Sequence, residues 1–143
     1  MGARFYWHQP ANNLFMISLL LSVPQFVRFA LLIIYVGCIM ALSLLPPQDF
    51  PQVQLFEGAD KVVHFLMYLI FSILGCWSLK TEFNRTRILF IIPITMGWGI
   101  FMEIMQLNMH LGRSFSWYDE LANCVGVLIG VIGYQLAVYK YAK

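Results

Sequence analysis

The sequence predicts an all-α membrane protein with four transmembrane helices and a short N-terminal interfacial or half-inserted helix. Three observations carry that expectation. The 143 residues are 60% hydrophobic and only 11% charged, whereas an ordinary soluble domain carries about 25% charged residues. Four apolar runs each approach the roughly 20 residues that cross a hydrocarbon core. The basic residues fall between these runs in a rich–poor alternation. Lipid offers the backbone no water to bond, so each run is expected to be helical.

Residues 1–28 form an N-terminal amphipathic or interfacial segment. Its apolar stretch, Leu14 to Val23, is followed by Pro24 and is too short to span. It has no small-residue cleavage site, so it does not read as a signal peptide. Phe5, Tyr6 and Trp7 suit the headgroup region, and Met16 is a second candidate start. If this segment crossed the bilayer, the N-terminus would change sides and the four spans would stay.

Residues 29–143 form the four-helix domain. Span one covers about 29–45 and stops at Pro46-Pro47. Span two covers 62–79 and contains His64. Span three covers 88–107, with Glu103 near its end and Pro93, Gly97 and Gly99 marking a bend. Span four covers 121–139 without a charge, and Ser116 followed by Asp119 resembles a capping box at its start.

The connections set the orientation. Arg4 and Arg28 precede span one, Lys80, Arg85 and Arg87 separate spans two and three, and Lys140 and Lys143 follow span four. The intervening connections each hold a single basic residue, Lys61 or Arg113. The positive-inside rule places both termini and the 80–87 loop in the cytoplasm. The 46–61 and 108–120 loops then face outward. A net charge of +2 gives no reason to expect a nucleic-acid partner. Cys38, Cys76 and Cys124 lie inside apolar runs, have no metal-ligand spacing and are expected to be packing thiols.

The remaining polar residues gather at the outward ends of the spans. Asp60 and His64 are spaced i, i+4, as are Asp119 and Asn123, while Glu103 and Gln106 are spaced i, i+3. Arg113 lies on the connecting loop. A charge at membrane depth costs roughly 2.5–3.5 kcal/mol on insertion scales, so such a cluster is a functional-site hypothesis. The plainer reading takes Asp60 and Lys61 as a solvated helix start, His64 as a core histidine, Asp119 as a cap and Arg113 as a counter-ion. Glu103, one to two turns inside a span, resists it most because it needs a partner or a proton. Asn123, Gly126, Gly130 and Gly133 form a small-residue stripe whose ordinary meaning is helix packing.

These blocks resemble the VanZ-like family of small membrane proteins, named after a teicoplanin-resistance accessory protein. The resemblance is carried by Asp60-Lys61-Val62-Val63-His64-Phe65, by Glu103-Ile104-Met105-Gln106, by Gly112 through Asp119, and by Leu121-Ala122-Asn123-Cys124-Val125-Gly126 with Gly130. The order and spacing of four blocks over residues 60–133 make it fairly specific. The resemblance implies a multi-pass protein of the bacterial inner (cytoplasmic) membrane, linked to glycopeptide resistance in one member, and transfers no biochemical activity.

Three functions compete. In the first, an outward-facing pocket recognises an anionic lipid or lipid-linked glycan headgroup of the cell envelope. Lys61 and Arg113 then hold phosphate, Gln106 and Asn123 orient it, and Asp119 and Glu103 hold the cations in place. In the second, an intramembrane enzyme acts on such a headgroup, with His64, Asp60 and Glu103 as acid–base groups. No nucleophile stands out. A metal version would use His64, Glu103 and Asp119, but one histidine with carboxylates at no standard spacing is a weak signal, and neither metal nor cofactor is expected. In the third, the chain is an accessory subunit of a larger membrane complex, or a homodimer, and the cluster serves packing. Membrane lipids are partners in all three.

Overall fold

A computed structural model describes residues 11–44, 58–81, 84–109 and 115–139. Five helices follow one another: α1 (Ala11–Ser22), α2 (Gln25–Leu44), α3 (Ala59–Ser78), α4 (Ile88–Asn108) and α5 (Trp117–Tyr139), with a short 3₁₀ turn at Arg85–Arg87 before α4. No strand occurs among the described residues. Helices α2 to α5 are each long and apolar enough to cross a membrane. The protein is therefore a multi-pass, all-α membrane protein.

Three of the spans begin earlier than hydropathy suggests: α2 at Gln25, α3 at Ala59 and α5 at Trp117. Their first turns hold polar residues that suit a helix N-terminus without being apolar. Asp60 opens α3, and Asp119 and Glu120 open α5, where carboxylates meet the positive end of the helix dipole. Gly58 precedes α3 at φ 86°, a left-handed conformation that favours glycine. Helix α4 continues through Pro93.

Long-range bonds show how the helices run. His64 of α3 meets Asn123 of α5, and Gln106 of α4 donates to the Ser43 carbonyl of α2 over 2.8 Å. At the opposite end Arg28 of α2 reaches the Trp77 carbonyl of α3. Thus α3 and α5 are parallel, and both oppose α2 and α4. Ile39, Tyr68, Phe71, Cys76, Ile91, Val127 and Val131 form the buried core. Ile33, Ile34, Leu89, Ile94, Ile132 and Leu136 point outward, as lipid-facing residues do. Lipid tails cover such surfaces as well as protein does, so close packing and polar contacts must hold the bundle together.

The closest packing is between α3 and α5. A Cβ at Gly126 would collide with the Phe65 carbonyl, and one at Gly130 would lie 2.5 Å from the Leu69 carbonyl oxygen. Here two backbones touch directly. The expected stripe stops there, because a Cβ at Gly133 would meet nothing within 4 Å. In the last turns the buried face of α5 shifts to Val131, Tyr134 and Val138, which leaves Gly133 exposed. The cysteines also separate: Cys76 is buried, Cys124 half-buried and Cys38 exposed.

The end of the bundle marked by Arg28 is a network of donors on carbonyls. Arg28 is fully buried. Its guanidinium donates to the Val23, Leu21 and Trp77 carbonyls and stacks 5.1 Å from the Trp77 ring. The Trp77 indole N–H in turn donates to Leu20, and the Ser78 hydroxyl to Arg28. Arg87 reaches the Leu79 carbonyl, and Gln135 donates to Thr81 Oγ1. These contacts fasten the end of α1 and the start of α2 to the end of α3.

Candidate functional site

The other end gathers the first turns of α3 and α5 and the last turns of α4. Trp117 and Tyr118 are exposed in the same turn as Asp119. Amphipathic rings of this kind are enriched at membrane–water interfaces.

His64 and Asn123 join α3 to α5 through a 3.1 Å contact between Nδ1 and Oδ1. Asn123 is itself buried, and its Nδ2 donates to Glu120 Oε2 over 3.1 Å. A carboxylate only accepts, so Glu120 fixes which way the amide faces. The amide oxygen must then face His64, and Nδ1 must be the donor. That assignment leaves His64 Nε2 with its lone pair in the neutral ring. Glu120 fits because α4 carries Gly99 opposite, where a Cβ would stand 2.7 Å from Glu120 Oε2.

Glu103 is buried, at 2% exposure, and its Oε2 accepts the Ser116 backbone N–H over 3.0 Å. Ser116 Oγ in turn accepts the Asp119 N–H over 3.3 Å. In a capping box the Ser116 N–H would belong to the acid three residues on. Here an acid from α4 takes it. The Asp119 carboxylate is released from that duty. Its Oδ1 is buried, has no hydrogen bond, and lies 3.7 Å from Lys61 Nζ. Lys61 also pairs with Asp60 at 2.8 Å, on the exposed side of α3.

The structure thus brings together Lys61, His64, Glu103, Asp119 and Asn123. One ligand atom each from His64, Glu103 and Asp119 lie within 4.8 Å of one another, from three different helices. Other residues of the cluster are placed differently. Asp60 bonds Lys61, while His64 bonds Asn123, so the two do not form the expected acid–base pair. Gln106 is buried, and its amide N–H is committed to α2. Asn123 orients His64 from below instead of facing the opening. Arg113 lies outside the described residues. Glu120 was not singled out, although it is 5% exposed and anchors the amide relay. Its spacing three residues before Asn123 was the available signal, masked by its resemblance to a helix-capping acid.

Chemically, the site offers an imidazole with a lone pair, two carboxylates that face it, and one ammonium at the rim. It can accept hydrogen bonds from hydroxyls or amines, move a proton, or hold a cation. Such a fold and site define a class: a small polytopic membrane protein with a cluster of polar side chains at one end of a four-helix bundle. Within that class, a family model described as VanZ/LLP1 matches residues 29–138, and the chain belongs to that family. No curated protein and no solved structure matches it.

Proposed function

We propose that this protein recognises the headgroup of an envelope lipid or lipid-linked glycan in the pocket formed by Lys61, His64, Glu103 and Asp119. The observation that carries the reading is the buried Asp119 carboxylate oxygen without a hydrogen bond, in a group where one ligand atom each from His64, Glu103 and Asp119 lie within 4.8 Å of one another. A buried polar atom left unpaired is costly, and a bound donor removes that cost. Sugar hydroxyls supply such donors. Lys61 is the rim cation for a phosphate, with Arg113 as its expected partner. Under the positive-inside reading the pocket opens outward, the side on which glycopeptides act. A headgroup held there becomes less available to such a drug, which is the route to a resistance role.

A second reading is turnover of the same headgroup. It is favoured by the Glu120–Asn123–His64 relay, which presets the ring as a proton acceptor. Native mass spectrometry of protein extracted gently from its own membrane tests the first reading. A phospholipid or polyprenyl-linked species should remain bound and be lost in Asp119→Asn combined with His64→Gln. Extraction without any specific lipid, or retention unchanged in that variant, overturns it.

A further inference from the structure

We infer that His64, Glu103 and Asp119 form a binding site for a divalent first-row metal ion of the zinc class. The inference deepens the headgroup reading by naming the charge that receives a phosphate. Among the described residues the cluster is predominantly acidic: Glu103 and Asp119 stand beside His64, with Asp60 and Glu120 in the adjoining turns and Lys61 as the cation that pairs with Asp60 and Asp119. A phosphate placed directly among those carboxylates would be repelled. An ion with two positive charges reverses the sign.

The geometry fits within a small side-chain adjustment. Three ligand atoms no more than 4.8 Å apart lie at most about 2.8 Å from a common centre, and zinc–nitrogen and zinc–oxygen bonds are about 2.0–2.2 Å. Each side chain therefore needs to move inward by roughly 0.7 Å.

Two further observations point to a cation at this place. The first is the buried Asp119 Oδ1 with no hydrogen bond, an acceptor that the helix cap has given up because Glu103 holds the Ser116 N–H. The second is the relay behind His64. Metal-bound histidines generally donate their other ring N–H to an oxygen, which fixes ring orientation and tautomer. Asn123 Oδ1 takes that N–H here, and Glu120 holds Asn123 in place. One imidazole and two carboxylates leave coordination positions open for a ligand's oxygen, as in sites that bind or activate substrate. The nearby ammonium adds a coupling. Lys61 now sits 3.7 Å from Asp119 Oδ1, and its side chain is 43% exposed. An ion on Asp119 displaces it toward the rim, where it can meet a phosphate.

The test uses the full chain in detergent, stripped with EDTA and then equilibrated with zinc, with metal content measured after desalting and affinity measured by competition with a chromophoric chelator. One zinc per chain is expected. Binding should weaken roughly 10-fold or more in His64→Gln, Glu103→Gln and Asp119→Asn, and also in Asn123→Ala, which removes the oxygen behind the histidine together with the amide N–H held by Glu120. Cobalt substitution should give a ligand-field spectrum that these variants lose. Lys61→Gln should keep or tighten zinc binding, because the competing ammonium is gone. Zinc should raise the melting temperature of the parent chain and not of the three ligand variants, which separates lost binding from lost folding. No zinc above the detergent blank, or an affinity that the three ligand variants do not move, overturns the inference. The two proposals fail separately. Lipid retained under EDTA by a chain that binds no zinc sinks the metal site alone, whereas zinc bound by a chain that retains no lipid supports the site and removes the headgroup reading.

Discussion

The two ends of this bundle are built from opposite groups, and both follow from helix direction. Because α3 and α5 are parallel, their N-termini share one end and their C-termini the other. Carboxylates at the first, from Asp60, Asp119 and Glu120, suit the positive ends of two helix dipoles, and Arg28 at the second suits the negative end of α3. What differs is saturation. Arg28 and Trp77 place their donors on carbonyls at the C-terminal ends of α1 and α3, where helix termini leave acceptor capacity, and Ser78 adds a bond to the Arg28 carbonyl. At the acidic end one buried carboxylate oxygen has no such partner. An arrangement that spends its polar groups on its own backbone is a fastening. One that keeps an acceptor in reserve is prepared for something else.

Breaking the fastening should have the largest effect. Arg28→Leu removes several charged hydrogen bonds and leaves the Leu21 and Val23 carbonyls without their guanidinium donor, which should cost about 3–5 kcal/mol of stability. Glu103→Gln at the other end keeps an oxygen for the Ser116 N–H and should melt close to the parent. Thermal unfolding in detergent compares the two directly. Equal losses would erase the distinction between the ends.

A second pair of variants probes the spine that joins them. Gly130→Val forces a side chain against the Leu69 carbonyl and should destabilise by about 1–3 kcal/mol or more. Gly133→Ala places its methyl in open space inside a helix and should leave stability unchanged or raise it by up to about 1 kcal/mol. Similar melting shifts in both would mean that α3 and α5 do not meet as described.

The smallest effect concerns the end of α3. Lys80 adopts φ 51°, a left-handed conformation that glycine takes without strain, and its N–H closes the helix on the Trp77 carbonyl. Lys80→Gly should stabilise by up to about 1 kcal/mol, read as a modest rise in melting temperature. A fall would assign the lysine side chain a role in fastening that end.

The four spans were legible because hydropathy is a property of each run by itself. The polar first turns lower the hydropathy that marks a span, so they were legible only from residue type. Ser116 read as the cap of span four and Asp60 with Lys61 as the start of span two, while the start of α2 at Gln25 was not read. The convergence of His64, Glu103 and Asp119 followed from placing helix ends at one depth. Which side chain bonds which did not follow, since partners come from other helices. Asn123 and Gln106 read as ligand contacts, yet one holds His64 and the other holds α2. Arg28 read only as a topological charge, although it is fully buried. Spacing locates residues along one helix, and the rotation of a helix against its neighbours decides what those residues do.

The direct contact of α3 with α5 sets a gauge for the pocket. Phe65, whose carbonyl lies against Gly126, follows His64 in the chain, and Gly126 is one turn beyond Asn123. The gap between the two polar walls is therefore defined by a carbon atom that is missing from a residue touching no ligand. Any side chain at position 126 would drive the walls apart and pull the His64–Asn123 bond beyond its 3.1 Å. The spacing of the His64–Asn123 pair is thus written one turn away, in a position whose own chemistry is inert.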